Sequence, residues 1–191
     1  YNEYGISVID KEKCIRCGKC IHSCPFGAIA SKTFIVPVIE ALKAGKHIYA
    51  MAAPATEGQF GVDITMASWK KAMKEMGFTD FYDVGLGGDM TAAYEAEEWA
   101  EAYKEGNKKV TSCCPAFVNM VRLHYPELAE CVSTTVSPMC AVSRLIKAKD
   151  PEAITVFIGP CVAKKSEVAD QKIEGNADYV LTYLSLIHIS E

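Results

Sequence analysis

The chain has 191 residues, of which 50% are hydrophobic and 23% charged, enough apolar material for one medium domain or a small domain joined to a larger one. Its net charge of −4 comes from interspersed acids and bases, with no basic stripe to neutralise phosphates and no polybasic run to hold a membrane; nucleic acid and lipid are excluded as expected partners. No apolar run approaches the roughly 20 residues that span a bilayer, and the N-terminal residues lack the charged-then-apolar pattern of a secretory signal.

Nine cysteines, grouped at ligand-like spacings with two of them adjacent, point to metal chemistry rather than disulfides. With no sign of export, they place the protein in a reducing, anoxic cytoplasm. The first group is Cys14-Ile-Arg-Cys17-Gly-Lys-Cys20-Ile-His-Ser-Cys24-Pro25. Its spacing, C-x2-C-x2-C-x3-C-P, is the bacterial ferredoxin run that wraps a cubane 4Fe-4S cluster with thiolates; a structural zinc site is the alternative. Two-residue spacers turn three sulfurs onto one cluster, and Gly18 supplies backbone freedom where the loop curls. In two-cluster ferredoxins the fourth cysteine serves the other cluster, so Cys14, Cys17 and Cys20 are expected to share one cluster while Cys24 reaches for a second. The partner run is absent from these residues, so an upstream half is expected to be missing.

Pro37 and the apolar run around it read as a connection, with a domain boundary near residues 31–45. From Lys46 onward, short apolar runs alternate with helical patterns, the signature of a mainly parallel sheet covered by helices. Strands are expected at His47–Ala52, Phe81–Val84, Lys109–Ser112, Ile154–Ile158 and Tyr179–Tyr183. Asp63 can cap a helix ending at Gly77, with Met66, Trp69, Met73 and Met76 on one face, a stripe that fits core packing better than a cofactor. Further helices fit Thr91–Glu105, Pro115–Tyr125, Pro138–Lys149 and Ala163–Asp170. Pro115 and Pro138 suit a first helical turn, where a missing N–H costs little.

Two more cysteine groups fall where strands are expected to lead into helices: Thr111-Ser112-Cys113-Cys114-Pro115 and Gly159-Pro160-Cys161-Val162-Ala163-Lys164-Lys165. In an open parallel sheet, ligand crevices form at the carboxyl ends of strands, so the two can converge on one site. Helix N-termini there would also favour an anionic cluster. On these motifs the sequence resembles the iron-only hydrogenase family, whose catalytic domain carries T-S-C-C-P, then P-C-x-x-K-K, then a third motif with two more cysteines. Supporting segments are Ala52-Ala53-Pro54-Ala55, Gly58-Gln59-Phe60-Gly61, Asp89-Met90-Thr91, Ser133 to Pro138 and Asp178-Tyr179-Val180-Leu181-Thr182.

The resemblance implies an α/β fold in which a ferredoxin-like iron-sulfur segment, residues 1–35, precedes a partial, mainly parallel H-cluster domain, residues 45–183. The implied cofactors are 4Fe-4S clusters and the H-cluster, a cubane joined to a diiron unit carrying CO, cyanide and a bridging dithiolate. Cys114 and Cys161 would be two of the four thiolate ligands of its cubane half. Cys113 would pass protons to and from the bridging amine as a general acid. Lys164 would donate hydrogen bonds to a cyanide, with Pro54, Ala55 and Pro160 as the wall around it. Glu95 and Glu98, three apart on a helix and so on one face, would by resemblance extend the proton path to solvent together with Ser133; from the residues alone they read more readily as a solvated surface. Cys131 and Cys140 read as buried structural thiols, and His22, His47, His124 and His188 share no spacing.

Phe117, Met139 and Gly159 stand where tryptophan, glutamine and methionine are common in the family, marking a divergent subgroup. The third cysteine motif is not among these residues, and residues 184–191 read as a non-native tail on a fragment's broken end. The expected activity of the intact protein is the reversible reduction of protons to H2, with ferredoxin or a similar carrier as electron partner and maturation proteins to build the H-cluster; the fragment itself is expected to be inactive. The competing readings are a non-catalytic iron-sulfur assembly relative and a sensory hydrogenase.

Overall fold

A computed structural model describes residues 3–183, 185 and 186. The cysteine run ends in a single helical turn, α1 (Lys19–Ser23), and is followed by α2 (Ile35–Lys43). The rest alternates strand and helix: β1 (Ile48–Ala52), α3 (Met66–Glu75), β2 (Asp80–Asp83), α4 (Gly85–Lys104), α5 (Pro115–His124), α6 (Pro138–Lys149), β3 (Ile154–Ile158), α7 (Lys164–Glu167) and β4 (Tyr179–Leu181). Short 3-10 turns follow β1 at Pro54–Thr56 and α5 at Pro126–Cys131.

All strand pairs are parallel, in the order β2-β1-β3-β4. A parallel sheet buries both faces, and its inner strands β1 and β3 are correspondingly almost wholly apolar, whereas the edge strand β2 begins and ends on Asp. Ile48, Ala50 and Ala52 of β1, with Val156, Ile158 and Leu181, meet Val38 and Ala41 of α2 and Trp69 and Met73 of α3. The intervening Met51, Phe157 and Val180 meet Met139, Val142 and Ile146 of α6 on the opposite face. Ile48, Met51 and Ile158 are wholly buried, and each side chain of that size contributes about 1.5–3 kcal/mol by leaving water. The sheet thus gains its stability from apolar residues of both parities along each strand.

Chain direction across the sheet reverses between β1 and β3, which opens a crevice beyond their carboxyl ends. Two loops diverge there, Ala53 onward from β1 and Gly159 onward from β3. Across the α6 layer lies α4, and the two helices approach closely at Gly87, where a Cβ would overlap the Pro138 carbonyl and stand 2.8 Å from the Val142 side chain. A larger residue at this position would lift α4 from its support.

Several expectations need correction. Residues 109–112 form no strand of the sheet; Val110 makes one isolated parallel bridge, to Val132. Its amide donates to the Cys131 carbonyl and its carbonyl accepts from Ser133, both at 2.8 Å, so the segment pairs locally instead of joining the sheet. Thr65, rather than Asp63, caps α3 by accepting from the Ser68 amide at 3.3 Å. Helix α4 begins six residues earlier than Thr91, and α7 is a single turn. The connection around Pro37 is helical: Pro37 occupies the first turn of α2, where amides lack intrahelical partners. Cys140 is buried as expected, whereas Cys131 is half-buried. Leu184 and residues 187–191, including His188, lie outside the described residues; Leu186 is buried in the α2–α3 core.

Candidate functional site

The N-terminal cysteine run is a loop shaped by two left-handed residues, Arg16 at φ 60° and Gly18 at φ 77°. At Gly18 the constraint is steric as well as torsional, since a Cβ would overlap the Val162 side chain. The loop is therefore seated directly on the segment that carries Cys161. Asn119 Nδ2 donates to the Ile15 carbonyl at 3.4 Å, and the His124 ring meets the Lys13 carbonyl at 3.0 Å, so α5 braces the loop as well.

Cys14, Cys17, Cys20 and Cys24 are free thiols. The Arg16 amide points at Cys14 Sγ, 3.4 Å away. The amides of Ala28 and Phe26, then Ile29 and Gly27, lower the Cys24 pKa against the upward push of burial. Backbone N–H dipoles aimed at sulfur stabilise thiolate, the form that binds iron, so this donor set fits an anionic 4Fe-4S cluster. Among the described residues no three His, Cys, Asp or Glu side chains gather tightly enough for a single metal ion. A cubane offers a separate iron to each thiolate, so its ligands need not meet at a point.

The second and third cysteine groups are brought together by Lys164. Its Nζ donates to the Cys113 carbonyl at 3.2 Å and to Glu167 Oε2 at 2.7 Å. Glu167 also accepts from the Ser137 hydroxyl, and Ser137 caps α6 by accepting from the Cys140 amide at 3.4 Å. Asn176 Nδ2 holds the Glu167 carbonyl at 2.9 Å. A buried ammonium, a buried carboxylate and a helix cap thus form one chain of charge-assisted hydrogen bonds beneath the two cysteine motifs. Cys113 and Cys114 are exposed, with Cys114 as the N-cap of α5, and Cys161 is half-buried. Pro54, Ala55 and Pro160 are exposed at the mouth of the crevice. They lie just beyond the Ala52–Ile158 register pair.

Helix α4 grips both strands of the Val110–Val132 bridge. Glu95 Oε1 accepts from Thr111 Oγ1 at 2.9 Å and from the Ser112 amide at 3.2 Å. Glu98 accepts from the Thr134 amide at 3.2 Å and from its hydroxyl. Burial raises the Glu98 pKa, but donors from Thr134 and the buried Ser133, with the Lys109 charge, outweigh it and bring the carboxyl below its ordinary value. Both glutamates are half-buried and bound, unlike residues of a freely solvated face. A cleft of about 560 Å³ is lined by Cys14, Ser112, Ser133, Ser137 and Glu167, linking the N-terminal loop to the Glu167 network. Glu167, Ser137 and Thr134 were not singled out from the sequence. Only the i, i+3 spacing of Lys164 and Glu167 could have shown one of them.

The described residues contain no helix long and apolar enough to cross a membrane. Residues 7–30, the segment that carries the N-terminal cysteine run, match the family model described as a 4Fe-4S binding domain. Three curated relatives are similar over most of the chain. They are the NADP-reducing hydrogenase subunit HndD of Solidesulfovibrio fructosivorans, 28% identical over 86% of this chain; iron hydrogenase 1 of Clostridium pasteurianum, 32% over 78%; and the periplasmic Fe hydrogenase large subunit of Nitratidesulfovibrio vulgaris, 34% over 83%. The aligned regions cover 33%, 29% and 50% of those proteins, so the chain spans half their length or less. Residues 46–190 match the model of the iron-only hydrogenase large subunit, C-terminal domain, whose cofactor is the H-cluster. The parallel sheet, the Cys161 loop at its carboxyl edge and these matches agree: the chain belongs to the iron-only hydrogenase large-subunit family.

Proposed function

We propose that the parent protein catalyses 2H⁺ + 2e⁻ ⇌ H2, taking electrons from ferredoxin or a similar carrier through the N-terminal cluster. The observation that carries this reading is the buried Lys164, whose ammonium reaches the Cys113 carbonyl at 3.2 Å from the helix after Cys161. It puts an ammonium, with Glu167 as its counter-charge, between the two cysteine motifs, where a cyanide ligand of the cluster would need a hydrogen-bond donor. When bound, the H-cluster would supply the metal centre at which protons and the carrier's electrons are interconverted with hydrogen.

The residues of this chain have separate tasks in that reading. Cys114 and Cys161 hold the cubane half as thiolates. Pro54, Ala55 and Pro160 wall the crevice and exclude water, and Lys164, oriented by Glu167, donates toward cyanide. The exposed Cys113 thiol carries the proton, with Glu95, Ser133 and Glu98 continuing the path along α4. Residues 1–35 serve as the electron-carrying domain and 45–183 as part of the catalytic one. The 191 residues supply only two of the four cubane thiolates, so alone they bind iron at the N-terminal run and evolve no hydrogen. The setting is a reducing, anoxic cytoplasm, with maturation proteins that build the diiron unit.

The test is hydrogen evolution by the full-length, anaerobically matured protein with reduced ferredoxin or a viologen dye. Turnover with complete iron supports the reading; a fully loaded protein that neither evolves nor consumes hydrogen contradicts it.

A further inference from the structure

Two lysines follow Cys161 by three and four residues, and both are buried. Lys164 has a carboxylate partner in Glu167 at 2.7 Å. Lys165 has none among the described residues: its Nζ donates to the Ser31 hydroxyl at 2.9 Å, and burial lowers its pKa. An ammonium removed from water and met only by a neutral hydroxyl is costly, and a nearby anion offsets that cost.

The surroundings of Lys165 point to one anion. Its amide closes the turn onto the Val162 carbonyl at 3.1 Å, and the Val162 side chain lies against Gly18, between Cys17 and Cys20. Ser31 lies seven residues beyond Cys24. Through its own turn and its ammonium, Lys165 is thus tied to the middle of the N-terminal cysteine run and to the segment that follows it. A cubane with three or four thiolate ligands is negative in both redox states and gains a further negative charge on reduction.

We propose that Lys165 is the counter-cation of the cluster held by the N-terminal cysteine run, a positioning residue that favours the reduced cluster and so raises its midpoint potential. The inference rests on the assignment of those cysteines to a cubane. It adds a role for the second lysine of the Cys161 segment, distinct from that of Lys164.

The test is a redox titration, followed by electron paramagnetic resonance, of the whole chain reconstituted anaerobically with iron and sulfide, comparing wild type, Lys165→Met, Lys165→Arg and Ser31→Asp. Lys165→Met should lower the midpoint so that the oxidised-to-reduced ratio at a fixed potential rises about tenfold, ~59 mV for a one-electron couple. Lys165→Arg keeps the charge and should titrate like wild type. Ser31→Asp leaves Lys165 in place but gives it a carboxylate, and should shift the midpoint in the same direction as the methionine variant. That variant decides the matter if Lys165→Met does not fold. Full iron with unmoved midpoints in the methionine and aspartate variants overturns the assignment and leaves Lys165 a mechanical latch. A wild-type chain that takes up no cubane iron overturns the cluster reading and this inference together.

Discussion

Glu167 is the residue on which the buried polar chemistry turns. Its carboxylate is the counter-charge of Lys164 and the acceptor for Ser137, and the pair is almost wholly removed from water, with side-chain exposures of 11% and 7%. Removing one partner of such a pair leaves the other charge buried and uncompensated. Glu167→Gln should therefore destabilise the fold by about 3–5 kcal/mol, measured by urea denaturation; a loss below about 1 kcal/mol would mean that water reaches Lys164 freely. Glu98 offers a pH-dependent check. Its folded-state pKa is depressed, so its contribution is fully present above the unfolded value of about 4.3 and fades as pH falls through the folded value. The stability gap between wild type and Glu98→Gln should be constant above about pH 5 and shrink below about pH 4. A gap that widens on acidification would reverse the assigned sign. The cysteines were legible in the sequence because ligand spacing is local, and so were Glu95 and Glu98 as a shared helix face. Thr134 and Ser137 were not, since their partners lie 36 and 30 residues away in the chain.

The helices that position these groups depend on close contact rather than on propensity alone. Gly87 lets α4 lie on α6, and α4 carries Glu95 and Glu98 to the segments on either side of Val110 and Val132. Gly87→Val should cost on the order of 1–3 kcal/mol through overpacking and loosen both glutamate contacts, visible as faster amide exchange at Ser112 and Thr134. Unchanged exchange at those amides would mean that α4 is held in place without this contact. Strands β1, β3 and β4 were readable because each is a short apolar run, as a doubly covered parallel strand must be; β2 was read one residue late because Asp80 and Asp83 frame only Phe81 and Tyr82. The expected fifth strand failed because Lys109 and Thr111 flank a single apolar Val110, which is itself 37% exposed. Helix α2 was missed because Pro37 and the apolar run around it read as a connection, although a proline in a first turn breaks nothing.

At the scale of the whole molecule, the N-terminal loop and the sheet-edge site form one surface. Gly18 packs on Val162, Lys165 reaches Ser31 and Asn119 reaches Ile15, so the two cysteine regions, whose nearest members Cys24 and Cys113 are 89 residues apart in the sequence, are joined by direct contact. Sequence spacing could assign each region a cofactor but could not show this seam, which rests on long-range packing. The family membership concerns the domain; the division of labour between Cys113, as proton carrier, and Cys114 and Cys161, as ligands, is the central claim about its chemistry.

That claim is tested most directly by measuring cubane iron and hydrogen turnover together in the matured full-length protein carrying Cys113→Ala or Cys114→Ala. Cys113→Ala should retain its cubane iron and lose turnover by at least a hundredfold, the scale of a missing general acid, whereas Cys114→Ala should lose the cubane iron itself. Loss of iron in Cys113→Ala, or full turnover in either variant, would contradict the account.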